Sequence, residues 1–250
     1  MCSMISAPGL RTTTSSARRL AALLCWAPLL AIPGLVQAQA QGCDLTARHG
    51  AGPFDYRYEH QMLPIVELRH FTPKVEALLA GESTSRPAPD IDYTLNKFPN
   101  HHRALISLIR LGQKLKTHHV DGMRYSIECF FDRAVYFRAD DTIVRVLYSQ
   151  YLDGAGRQAD AIRQLELAAT RAGDSGFSHL NIGMGFFDLK QYEKALQQAH
   201  EALRLGFSRQ DLVDRLKSVG KWQEPLVVAA EPDAGGASAA VAPASAASQP

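Results

Sequence analysis

Nine histidines are the residues of this chain best suited to hold a metal or move a proton: His49, His60, His70, His101, His102, His118, His119, His179 and His200. A zinc enzyme needs two histidines and a carboxylate at one helical spacing, or a Cys/His box, because the ion takes three or four protein ligands in a tight tetrahedron. Neither spacing occurs. His101-His102 follows Pro99, where capping and packing at a helix start account for both. His118-His119 lies in a polar stretch, and neighbouring side chains diverge, so a site there needs a ligand from elsewhere, such as Asp121.

Nucleophilic chemistry has as little support. There is no Gly-x-Ser-x-Gly elbow, and Cys129 falls inside a predicted helix with no base nearby in sequence. Gly183-Met184-Gly185 could suggest a phosphate loop, but it also falls inside a predicted helix and no Lys-Ser/Thr follows. Asp140-Asp141 imitates a catalytic carboxylate pair; its position before an apolar-periodic stretch makes helix capping the better account. The expectation is a protein without catalysis, cofactor or metal. The alternative is an envelope hydrolase or metal protein that uses the segment from Cys43 to Pro89 together with His101, His102 and His119.

The ends of the chain frame these residues. Residues 1–40 carry Arg11, Arg18 and Arg19, no acid, an apolar run from Leu20 to Val36 and a Gln/Ala stretch, the order of a secretory signal peptide. Small residues place cleavage after Ala38 or Ala40, and the mature chain is expected in the periplasm or outside the cell. A membrane anchor is the rival reading, but the run is only about 17 residues and Pro28, Pro33 and Gly34 interrupt it. Arg18-Arg19 and Gly42-Cys43 match twin-arginine and lipoprotein signals only in part. Removing the leader takes three of 27 basic residues and none of 25 acidic ones, which leaves no basic surplus for nucleic acid. Cys2 and Cys25 leave with it. Cys43 and Cys129 remain, either bridged or as a buried thiol at Cys129 and an incidental one at Cys43. Glu231 to Pro250 is almost all Ala, Pro, Ser and Gly and reads as a disordered tail, with residues 218–250 as linker plus tail.

Between the ends, the sequence matches itself at an offset of 34 residues. Ala134, Ala168 and Ala202 fall in register, and in the last two copies Ser149 pairs with Gly183, Leu152 with Phe186 and Ala161 with Ala195. Small residues recur where two helices approach closely, and large apolar ones where each fills its neighbour's groove. With Asp140-Asp141 and Asp174-Ser175-Gly176 as N-terminal signals, helices are expected at about 142–153, 158–171, 177–188 and 192–205.

The spacing of Gly183, Phe186, Tyr192, Ala195 and Ala202 resembles the tetratricopeptide repeat, and Tyr148, Ser149, Leu152, Ala161, Leu165 and Ala168 form a preceding copy. The usual closing proline is replaced by Gly173 and Phe207. An earlier copy starts near Pro99, with helices from His102 to about Lys114 and Arg124 to Phe137, and carries about six extra residues in Lys116 to Gly122. Asp90 to Phe98 would close a half-repeat before it, and Asp211 to Lys217 would cap the array. The likeness covers residues 90–217 and implies an all-α solenoid of about 3.5 repeats. Residues 41–89 are an N-terminal extension in which Pro73 to Leu79 is helical, Gly81 to Asp90 is a linker, and Gly50 to Tyr58 is an extended strap over the first repeat.

What the resemblance implies for function is a groove lined by the first helix of each repeat. Its residues are Arg103, Ile106, Arg110 and Gln113, then Ile143, Val146, Gln150 and Asp153, then Phe177, Leu180, Met184 and Phe187. Ala134, Ala161, Ala168, Gly183, Ala195 and Ala202 are the structural positions. A groove running from a basic end to a Met- and Phe-rich end suits an extended peptide or amphipathic helix with a negative group at one end. The competing reading has Phe177, Leu180 and Phe187 covered by the capping helix or strap. The expected role is an exported interaction scaffold in a cell-envelope or exopolysaccharide assembly that binds a protein or peptide, with self-association through the apolar groove end as a third reading.

Overall fold

A computed structural model describes residues 42–225 of the chain, and among these residues there are ten α-helices and no strand. The expected signal peptide with its cleavage sites and the expected Ala/Pro/Ser-rich tail from Glu231 lie outside the described residues. In chain order the helices are α1 (Leu63–Arg69), α2 (Pro73–Glu76), α3 (Ala88–Lys97), α4 (His102–Leu115), α5 (Ile127–Phe137), α6 (Thr142–Gly154), α7 (Gln158–Ala169), α8 (Gly176–Asp188), α9 (Tyr192–Arg204) and α10 (Asp211–Ser218). None of them is long and apolar enough to cross a membrane.

Four helices start on a side chain that accepts a hydrogen bond from the first turn and so satisfies an otherwise orphaned N–H. Asp141 caps α6 through the Val144 N–H and Ser175 caps α8 through the Ser178 N–H, 34 residues apart, the interval of the sequence repeat. His101 caps α4 and Ser126 caps α5. The α5 cap corrects the expected start at Arg124: residues 124–126 are held outside the helix, and the Ile127 N–H donates to the His118 carbonyl at 2.9 Å.

The helices pair as antiparallel hairpins, α6 with α7 and α8 with α9, while α4, α6, α8 and α10 lie side by side. Close approach requires small residues at the crossings. Ala134, Ala161, Ala168, Ala195 and Ala202 are all buried, and the first three with Ala195 are wholly so. Gly183 is the tightest point: a Cβ there would collide with the Leu212 side chain of α10 and sit 3.1 Å from Cβ of Gln198 on α9. Phe98, Phe130, Phe131, Leu105, Leu108, Leu152, Leu165 and Phe186 fill the core between the rows. Each such side chain is worth about 1.5–3 kcal/mol of transfer from water.

The N-terminal extension is anchored at several points. A disulfide joins Cys43 to Cys129 on α5, with the Cα atoms 5.5 Å apart, which decides between the two readings of these cysteines. Downstream, Lys97 donates to the carbonyls of His49 (2.7 Å) and Ala51 (3.0 Å), and the Phe54 N–H donates to the Lys97 carbonyl at 2.8 Å. The Tyr56 N–H donates to Oδ1 of Asn100 at 3.0 Å. The strap therefore begins at Cys43 and crosses α5 and the α3–α4 turn.

Two expectations for the extension need correction. The helix from Pro73 stops at Glu76, because Leu78 adopts a left-handed φ of 57°. The supposed linker before Asp90 is an organised turn: the buried Asp90 carboxylate accepts from the backbone N–H groups of Glu82 (2.7 Å) and Ser83 (3.0 Å) and faces Nδ1 of His70 at 3.0 Å.

Candidate functional site

The twelve residues expected to line a groove along α4, α6 and α8 meet different fates. Ile106, Arg110 and Gln113 of α4 and Gln150 of α6 line a shared cavity of about 350 Å³ with Ile109 and Leu147. Its apolar floor and polar rim come from adjacent turns of two neighbouring helices, the i, i+3, i+4, i+7 spacing that puts side chains on one face. Arg110, Gln113 and Gln150 are exposed, and none has a hydrogen-bond or ion-pair partner among the described residues. Ile109 and Leu147 were missed by repeat-position reasoning. The signals that could have found them are the place of Ile109 three residues after Ile106 on α4 and that of Leu147 four residues after Ile143 on α6.

At the α4 N-terminus Arg103 is not free. Its guanidinium pairs with Glu76 of α2 and with Glu67 of α1, the latter at 3.1 Å, so the extension occupies the supposed basic end and leaves Arg110 as its remaining cation. At the other end α10 covers the apolar residues. The Arg215 guanidinium lies 4.2 Å from the Phe187 ring centroid and 3.6 Å from the Met184 sulfur, and it pairs with Asp188 at 2.5 Å. Leu180 and Val146 belong to the core, Ile143 is half-buried, and Asp153 is exposed. Phe177 remains half-exposed, edge-on to Phe207 at 6.1 Å. The open part of the groove is thus its α4–α6 portion.

The histidines serve as joints between elements. His101 is fully buried between Tyr56 and Phe71; its Nδ1 accepts the Ala104 N–H, and Nε2 faces Glu67 at 3.2 Å. Burial, with the nearby charges of Arg103 and His102, pushes its pKa down from 6.5 to about 3, so the ring is neutral in the fold. His102 meets the Asp141 carboxylate at 2.9 Å, His118 the Tyr151 hydroxyl at 3.0 Å, and His179 lies between Gln198 and the Gly173 carbonyl. Among the described residues no three His, Cys, Asp or Glu side chains converge as a metal set, and His101, His102 and His119 are not brought together.

Asp140 and Asp141 likewise part ways. Asp140 is exposed and pairs with Arg57 at 2.9 Å, whereas Asp141 is buried and accepts from Asn100 (2.9 Å), His102 and the Val144 N–H. Asn100 also donates to Asp55 of the strap at 2.8 Å, and Asp55 accepts from Arg57 and Arg138 as well. Burial alone would raise the Asp55 carboxyl, but the hydrogen bonds from Arg57, Asn100 and Arg138 outweigh it and hold the group well below the usual carboxylate range. This node locks the strap to the starts of α4 and α6.

Compared with known proteins, the chain matches no family model, no curated protein and no solved structure.

Proposed function

We propose that the chain is an exported, tetratricopeptide-type interaction module that grips a peptide segment of a protein partner in the α4–α6 groove and performs no chemistry. The observation that carries this reading is the cavity whose rim offers a cation, Arg110, and two amides, Gln113 and Gln150, all without side-chain partners among the described residues, above an apolar floor of Ile106, Ile109 and Leu147. Such a surface takes an apolar anchor side chain into the floor, lets the amides bond the partner's backbone, and places a partner carboxylate against Arg110. The 34-residue interval between helix caps supports the repeat reading, and the Cys43–Cys129 bond fits an oxidising compartment reached through the leader. A role as scaffold in a cell-envelope or exopolysaccharide assembly follows by analogy with exported repeat proteins.

The test is chemical crosslinking of the mature chain in an envelope extract, comparing wild type with Arg110→Glu and with Arg163→Glu on α7 as control. Loss of partners in Arg110→Glu alone supports the groove. Retention of every partner by both Arg110→Glu and a Gln113→Ala/Gln150→Ala double variant sinks it.

A further inference from the structure

Arg133 on α5 is 4 % exposed, yet among the described residues no carboxylate lies within ion-pair distance of it. One terminal nitrogen donates to the Asp44 carbonyl and the other to the Ala47 carbonyl at 2.9 Å, while the guanidinium lies 4.7 Å from the Tyr125 ring centroid. Its Nε is buried without a hydrogen-bond partner. The nearby Asp44 carboxylate makes no ion pair with it: Oδ1 accepts from the Thr46 N–H and hydroxyl, both at 2.9 Å, and the Arg133 charge reaches the carboxylate only through space, where it adds slightly to the lowering of its pKa by those hydrogen bonds. A buried guanidinium with an orphaned nitrogen and no carboxylate within ion-pair distance is under-satisfied, and an anion beside it would supply both the missing acceptor and the counter-charge. Arg145 is the other buried arginine without a carboxylate, but none of its buried atoms is orphaned: Ala139 and Gln164 accept from it.

Arg133 also lines a cavity of about 270 Å³ between the strap and α5. The same cavity is lined by Arg48, exposed and unpaired among the described residues, and by apolar walls that include Leu45, Pro53, Tyr136 and Phe137, with no acidic residue. We propose that this cavity is a binding site for a small organic anion: a carboxylate or phosphate head held by Arg133 and Arg48, carried on a compact apolar or aromatic body that packs against the walls. Two guanidinium groups supply charge-assisted hydrogen bonds to either head. The site is separate from the α4–α6 groove and does not depend on its function.

The experiment is calorimetric titration of the mature, oxidised protein with benzoate, phenyl phosphate, benzyl alcohol and benzylamine at constant chloride. Expected are one-to-one binding of at least one of the two anions, no binding of the alcohol or amine, and at least tenfold weaker binding to Arg48→Glu. Arg48 is on the surface, so that variant keeps its fold. Arg133→Lys, confirmed folded by circular dichroism, retains charge but loses the fork and is expected to lose binding. Arg110→Glu is expected to bind as wild type. Failure of both anions at millimolar concentration, equal binding of benzyl alcohol, or undiminished binding by both Arg48→Glu and Arg133→Lys overturns the assignment.

Discussion

Reducing the Cys43–Cys129 bond probes the strap directly, because no side-chain volume changes. The bond closes a loop across a sequence separation of 86 residues. The chain-entropy relation gives about 4–5 kcal/mol of stabilisation for a loop of that length, acting through the unfolded ensemble. For a chain of this size that corresponds to a fall in the melting midpoint on the order of 10–18 °C on reduction. The strap's other anchors, Lys97 to the His49 and Ala51 carbonyls and the Asp55 node, persist in the reduced protein and keep the native state formed. Because the bond restrains the unfolded chain, its removal should raise the slope of stability against urea while the midpoint drops. The measurement is paired urea titrations, followed by far-ultraviolet circular dichroism, of oxidised and reduced wild type, with a Cys43→Ala/Cys129→Ala variant as a permanent reduced state. A loss below about 1 kcal/mol in both reduced forms would refute the loop-closure argument.

Three further outcomes follow from the packing and charge described above. His101 is neutral in the fold and free to protonate when unfolded, so its contribution is complete above pH 6.5 and is lost as pH falls towards about 3; by pH 5 the loss is about 2 kcal/mol. His101→Asn keeps a capping acceptor for the Ala104 N–H, and its pH 7.5-to-5 stability loss should be smaller by that amount; parallel profiles would contradict the buried neutral ring. Ala168→Trp or Ala202→Trp overpacks a helix crossing and should cost about 1–3 kcal/mol or more in thermal unfolding, whereas unchanged melting would contradict the register. Asp141→Ala strips the α6 cap and leaves buried Asn100 short of an acceptor, and about 2–4 kcal/mol should be lost by urea titration.

What the sequence made legible is the part built from repetition. Thr142 to Arg204 repeats small and large residues at one interval, so both hairpins and their N-caps could be placed to within two residues. Local signals failed where geometry is set by distant partners. Helix α1 escaped notice because it buries only Val66, leaving Ile65 and Leu68 exposed with no helical stripe to detect. Covering of Arg103 by Glu67 and Glu76, and of Met184 and Phe187 by Arg215, depends on end-on packing that no period encodes. The same holds for Arg133, whose surroundings come from a strap nearly ninety residues earlier in the chain.

The covalent link from residue 43 to residue 129 also divides the molecule mechanically. Tension applied at the two termini runs straight through the sulfur atoms, so α1 to α4 and the strap lie on a slack branch that carries no load. About 280–310 Å of contour is withheld from any stretching of the oxidised chain, and among the described helices only α6 to α10 and the part of α5 after Cys129 can be drawn out.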